Sequence, residues 1–290
     1  MTPVRIASAG VAAEIAPLGA ELVRVTDAHG RDWQWGGDPA VWAGRAPILF
    51  PIVGTLRDDM FRWKGRSYSL PRHGFARRST FEIIDRAEDR VTLRLESSET
   101  TLAVWPFAFQ LDMIYAVAGT TLTMTAIVRN PSADPIPASF GYHPALLWPL
   151  PGDATRDAHE IRFDKPEPAA VRRLDADGLV DPEPRPTPIE GDRLALSDSL
   201  FAEDALILDQ PASDRLVYGA PGGGRVAVGY AGMRQIAFWQ KPGAGYLCIE
   251  PWHGLSDPAD FDGDIFDKPG MAIIEGGGEK SFTMTIELMA

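Results

Sequence analysis

Two of the chain's five histidines stand where an imidazole could do chemistry. His73 lies in "LPRHGFAR" and His143 in "SFGYHPALLWPL"; each sits among glycine, proline and aromatics at the end of an apolar stretch. Glu250, in "GYLCIEPWHG", forms a third such station. A carboxylate that emerges from Leu-Cys-Ile and is flanked by Pro251 and Trp252 loses part of its hydration. Desolvation raises its pKa and makes it a better proton acceptor near neutrality. An imidazole and a carboxyl group tuned this way are the pair that general acid–base catalysis requires. Each also has a plainer reading: a histidine bonded to a loop carbonyl, or a solvated glutamate before a turn. The stations are far apart along the chain, so their spacing carries no geometry. His29, in "TDAHGRD", reads as a solvated turn residue, and so does His159 in a Pro/Asp-rich stretch.

The elements that must position these groups are strands. "RVTLRLES" (90–97), "TLTMTAIVRN" (121–130) and "KSFTMTIELM" (280–289) alternate apolar and polar residues with period two. That is the pattern of half-buried strands with one wet face. "GRVAVGYAG" and "QIAFWQ" read the same way, and Lys64-Gly65 inside "FRWKGRSYSL" suits a hairpin turn. The best helical stretch is short, "SETTLAVWPF" (98–107). Many strands punctuated by 28 glycines and 25 prolines predict a large antiparallel sandwich or barrel. Residues 150–193 are Pro- and Asp-rich and poor in aliphatics. They read as a long surface excursion within one domain over 1–290, because strand pattern of one kind flanks them.

Composition narrows the function. The net charge of −12 argues against nucleic acid as a partner, while a local basic pocket for one small anion is compatible with it. No apolar run is long enough for a membrane helix, and Glu14 and Pro17 interrupt the N-terminal stretch where a secretory signal would need continuity. Cys248 is the single cysteine, so no internal disulfide forms, which fits a cytoplasmic location.

Taken in order, "APILFPIVGTLRDD", "LPRHGFARRS", "GYHPAL" and "CIEPWHGLSD" resemble the aldose 1-epimerase (mutarotase) family, closest to its LacX-like branch. The opening "LGAELVRVTDAHGRDWQWGGDPAVW" is similar as well, so the resemblance spans nearly the whole chain. It implies an all-β, galactose mutarotase-like β-supersandwich, a single domain of large twisted antiparallel sheets. It also implies interconversion of the α and β anomers of an aldose by ring opening and closure. That reaction needs neither cofactor nor covalent nucleophile. The expected partner is a small sugar, free or phosphorylated, and the expected oligomeric state is a monomer or loose homodimer.

By motif, the resemblance assigns Glu250 as general base, His143 as general acid to the ring oxygen, and His73 as the second histidine holding that oxygen. Arg57 in "VGTLRDD" falls near the family's substrate-binding arginine. The match departs there: relatives often carry Gly-Arg where this chain has Gly54-Thr55, which moves the arginine by two positions. Asp204, beside Glu203 in "LFAEDALIL", is the choice for binding sugar hydroxyls. Trp252 and Phe75 either face the sugar's C–H patches or belong to the core. Arg77 either pairs with a carboxylate in the site or contacts an anion. Hexose-6-phosphate epimerisation is an alternative, since Arg45, Arg57, Arg72, Arg77 and Arg78 offer guanidinium for a phosphate. A non-catalytic carbohydrate-binding protein on the same scaffold is another. No metal is expected, because nothing like H-x-H or H-x-x-E supports a ligand set built on His73, His143 and Glu250.

Overall fold

The computed structural model describes residues 2–289. Two large antiparallel sheets dominate it, as the alternation predicts. In the nine-stranded sheet, Glu279–Met289 pairs with Thr121–Arg129, and Leu122, Met124 and Ala126 stand opposite Ile286, Met284 and Phe282. All six are buried. Each large apolar side chain taken out of water this way stabilises the fold by about 1.5–3 kcal/mol. Polar partners such as Thr125 and Thr283 share the opposite face, their hydroxyls 3.3 Å apart.

The six-stranded sheet packs on that apolar face and runs Leu206–Leu208, Gln235–Trp239, Tyr246–His253, Phe140–Tyr142 and Ile48–Leu49, with Ala145–Leu147 also on Tyr246–His253. Tyr142 ties the two layers together. Its hydroxyl reaches Met124 O at 3.0 Å and Phe282 O at 2.9 Å, both in the larger sheet. The core so enclosed is continuous from Val4 to Leu288.

The smaller sequence signals also have counterparts. Met60–Trp63 and Arg66–Ser69 form the hairpin around Lys64-Gly65, both at positive φ. Helix Glu99–Val104 begins in a capping box in which Ser98 and Thr101 each bond the other's backbone N–H. The excursion is narrower than its composition suggests. Glu160–Phe163 and Arg193–Ala195 are strands of the nine-stranded sheet, and the stretch between them returns on itself through a Val171–Arg185 bridge. His159 is consequently buried rather than solvated: its Nε2 accepts the Leu150 N–H at 3.0 Å and its Nδ1 lies 2.9 Å from Thr155 O. No described helix is long and apolar enough to cross a membrane.

One turn must be glycine. Gly74 follows His73 at φ +68, and a Cβ there would lie 2.3 Å from Phe50 O. Left-handed backbone alone costs an alanine about 1–2 kcal/mol, and the carbonyl has nowhere to move. Gly74→Ala is therefore expected to lower the thermal midpoint by at least several degrees, measured by calorimetry.

Candidate active site

Strand Tyr246–His253 carries the centre of the site. Successive side chains alternate faces: Leu247 and Ile249 join the inter-sheet core, while Cys248, Glu250 and Trp252 point to the other face. Glu250 is thus mid-strand and only 1% exposed, not at a strand end. Proline next to it opens the sheet. Ile249 donates its N–H to Pro144 O, whereas Pro251, two residues on and on the same strand edge, has no N–H to give. Opposite that gap the chain leaves the sheet between Phe140–Tyr142 and Ala145–Leu147, and His143 turns out toward Glu250. His143 Nε2 lies 3.2 Å from Glu250 Oε2. Trp42 and Trp239 flank the imidazole, with ring centroids 5.3 and 5.8 Å away.

His73 arrives from a turn in which Gly74 N–H bonds Pro71 O, and it sits at φ +65. A non-glycine residue held there is strained by about 1–2 kcal/mol, and such strain gathers at functional sites. Asp204, at φ +63, is a second case on the same cavity wall. The His73 ring is oriented by Gly54, whose N–H donates to Nδ1 at 3.0 Å. A neutral imidazole that accepts at Nδ1 carries its proton at Nε2. Arg72 Nε lies 3.3 Å from that Nε2, so two donors face one another across the cavity wall. A neutral ring accepts from only one of the two donors that reach it, the Gly54 N–H at Nδ1 and the Arg72 Nε–H at Nε2.

Burial sets the protonation states. Loss of hydration raises the Glu250 carboxyl well above the usual range; the Arg72 charge and the nearby Trp252 N–H pull it down, and Asp204 pushes it up. Burial lowers His143 to about 3, with Arg72 and Arg77 adding to the fall. His73 is lowered well below its ordinary value by burial, Arg72, His143 and Arg77. Burial therefore disfavours the charged form of the carboxyl and of both imidazoles. His143 Nδ1, Glu250 Oε2 and Trp252 Nε1 are buried without hydrogen-bond partners in the protein. Cys248 offers a further ligand-type atom, within 4.8 Å of those of His143 and Glu250. Burial, with Glu250 nearby, raises its thiol well above the usual range.

The profile of the aldose 1-epimerase family matches residues 4–270. The chain belongs to that family. It is 28% identical over 281 residues to the chromosomal LacX protein of Lactococcus lactis subsp. lactis, covering 93% of this chain and 94% of that one. Among solved structures it is similar to a galactose mutarotase related enzyme from Lactobacillus acidophilus, at 29% identity and TM-score 0.91 over 99% of this chain and 97% of that one. It is also similar to a galactose mutarotase-like protein from Lactobacillus casei ATCC 334, at 26% identity and TM-score 0.92 over 99% and 100%.

In this family member a cavity of about 230 Å³ brings together His73, His143, Glu250, Arg77, Asp204 and Trp252, all singled out in the sequence. Two other expected residues lie elsewhere. Arg57 lines a separate cavity of about 340 Å³ beside Asp58 and Phe261, because the 54–57 segment turns its backbone, not Arg57, toward His73. Phe75 packs edge-on against Phe50, with its ring 6.2 Å away, and beside Phe109, so it belongs to the core. Arg72 occupies the cavity instead, with Trp42 and Trp239. Adjacency to His73 was the signal for Arg72; the two tryptophans left none, because their positions depend on a loop and a strand end. Arg77 donates to Arg72 O at 2.8 Å, and its Nε is buried without a partner. Among the described residues neither arginine forms an ion pair within 4.0 Å.

The buried histidines make stability pH-dependent. His253, on the opposite face from Glu250 with both ring nitrogens unpartnered, is lowered by burial to about 4. Unfolded histidines protonate near 6.5, so His143 and His253 stabilise the fold above that pH, and this is lost as pH falls toward 4 and 3. Glu250, raised, acts with the opposite sign: its stabilisation is complete below its ordinary value and is lost as pH rises through the folded one. Denaturant titrations are expected to show a shallower loss between pH 6.5 and 4.5 in His253→Leu than in wild type. At pH 8, Glu250→Gln should be at least as stable as wild type.

Proposed function

We propose that the protein is an aldose 1-epimerase in activity, opening and reclosing a pyranose ring at the His143–Glu250 pair. The observation that carries this reading is a carboxyl and an imidazole 3.2 Å apart, both desolvated and with opposite shifts. A single proton moved between them converts the neutral pair into carboxylate and imidazolium. From that state the Glu250 carboxylate takes the proton of the anomeric hydroxyl as the C1–O bond becomes a carbonyl. The bond from C1 to the ring oxygen breaks, and that oxygen takes the proton of His143. The pair is then neutral again, its resting form. After rotation about C1–C2 the same steps run backward on the other face of the carbonyl. His73 Nε2–H and Arg72 supply the two converging donors for a sugar oxygen, and Asp204 accepts from hydroxyls. Trp42, Trp239 and Trp252 face the C–H surfaces of the ring.

A sugar phosphate is the second reading. Arg72 and Arg77 bring two positive charges to a cavity whose acidic groups are Asp204 and the desolvated Glu250. Guanidinium without a carboxylate partner suits an anionic substituent.

Polarimetry on a panel of aldoses and their 6-phosphates should show anomer equilibration faster than buffer for at least one. Glu250→Gln and His143→Asn should each reduce kcat by about 100-fold or more, and Arg77→Met should raise KM selectively for a phosphorylated sugar. No acceleration with any sugar would overturn the enzymatic reading. Unchanged sugar affinity in Glu250→Gln would then favour a carbohydrate-binding protein.

A further inference from the structure

His73 cannot act on a sugar oxygen unless its ring and tautomer are held, and the chain holding it leads away from the cavity to a buried ion pair. Gly54 and His73 bond reciprocally: Gly54 N–H to Nδ1 at 3.0 Å, and the His73 backbone N–H to Gly54 O at 2.8 Å. Beyond Gly54, residues 55–57 are sewn to residues 255–257. Thr55 N–H donates to Ser256 Oγ at 3.0 Å, Asp257 N–H to Thr55 O at 2.8 Å, and Arg57 N–H to Asp257 Oδ2 at 2.9 Å. The other Asp257 oxygen accepts from Lys268 Nζ at 2.6 Å, and Nζ also donates to Leu255 O at 2.8 Å. Both side chains are almost wholly buried, at 0% and 4% exposed. Residues 255–257 follow the strand that bears Glu250, one residue beyond its end at His253. The clamp therefore fixes the His73 turn against the Glu250 strand.

A buried ion pair seldom adds net stability over apolar side chains of like volume, so its geometry is the more telling property. We propose that Asp257 and Lys268 are positioning residues, holding segment 54–57 so that the Gly54 N–H keeps His73 in its Nε2–H form. Nothing in the pair touches the cavity.

The test is the double variant Asp257→Asn/Lys268→Leu, which removes both charges together, with ¹⁵N NMR of the histidine rings and steady-state kinetics. A folded double variant is expected to show His73 Nδ1 and Nε2 signals shifted toward a mixed tautomer, with kcat down about tenfold and KM within about twofold. Wild-type His73 signals with kcat within about twofold would overturn the proposal. Should the double variant fail to fold, Ser256→Ala removes one rung alone. There a smaller shift and an about threefold loss of kcat are expected, and no change in either would overturn it equally. The kinetic arm rests on the mutarotase reading, but the ring signals do not. If the wild type turns over no sugar, those signals alone decide the proposal, and the two failures stay distinguishable.

Discussion

A carboxyl group in the middle of a β-strand, with 1% of its surface exposed, is expensive to ionise, and the site is organised around that difficulty. Desolvation raises the Glu250 carboxyl and lowers the His143 imidazole. The partnerless Oε2, the partnerless His143 Nδ1 and the Trp252 N–H are polar atoms that the fold leaves unsatisfied. Native interiors rarely tolerate such atoms without a functional reason.

The sheet makes room for this centre through a missing donor. Pro251 has no N–H to offer on the edge where Ile249 bonds Pro144, and the neighbouring strand breaks there to present His143. Gly141, whose added Cβ would lie 2.7 Å from Trp252 Cδ1, leaves the space that Trp252 occupies. The remaining walls come from separate loops, each with its own tie to the framework: His73 through Gly54, and Arg77 through the Arg72 carbonyl. Strained backbone at His73 and Asp204 shows that these ties override local preference. A chain of net charge −12 also gathers two unpaired guanidinium groups here, so the cavity's local field runs against the charge of the whole molecule.

Much of the framework was legible in advance. Period-two alternation located Thr121–Arg129 and Glu279–Met289, which pair with their apolar faces in register. Lys64-Gly65 marked a hairpin, and the stretch 98–107 marked the short helix. The misreadings share one cause. His159 looked solvated because its neighbours are polar, yet a segment poor in aliphatics still contributes Glu160–Phe163 to a sheet and buries the ring. Glu250 looked like a strand end because proline follows it, but a proline whose missing N–H faces a gap does not end a strand. Arg57 looked like a ligand because it stood near a motif position, while backbone hydrogen bonds turn its segment the other way.

Sequence alone determined the residue types able to move protons, the β character of the chain and the family resemblance. These are local properties, carried by side-chain chemistry, by periodicity and by short ordered motifs. Tertiary structure decided which of those residues meet. It put Arg72 rather than Arg57 into the cavity, set 3.2 Å between His143 and Glu250, and buried both deeply enough to shift them in opposite directions. Distance and desolvation arise from contacts between segments remote in the chain, and no local pattern encodes them.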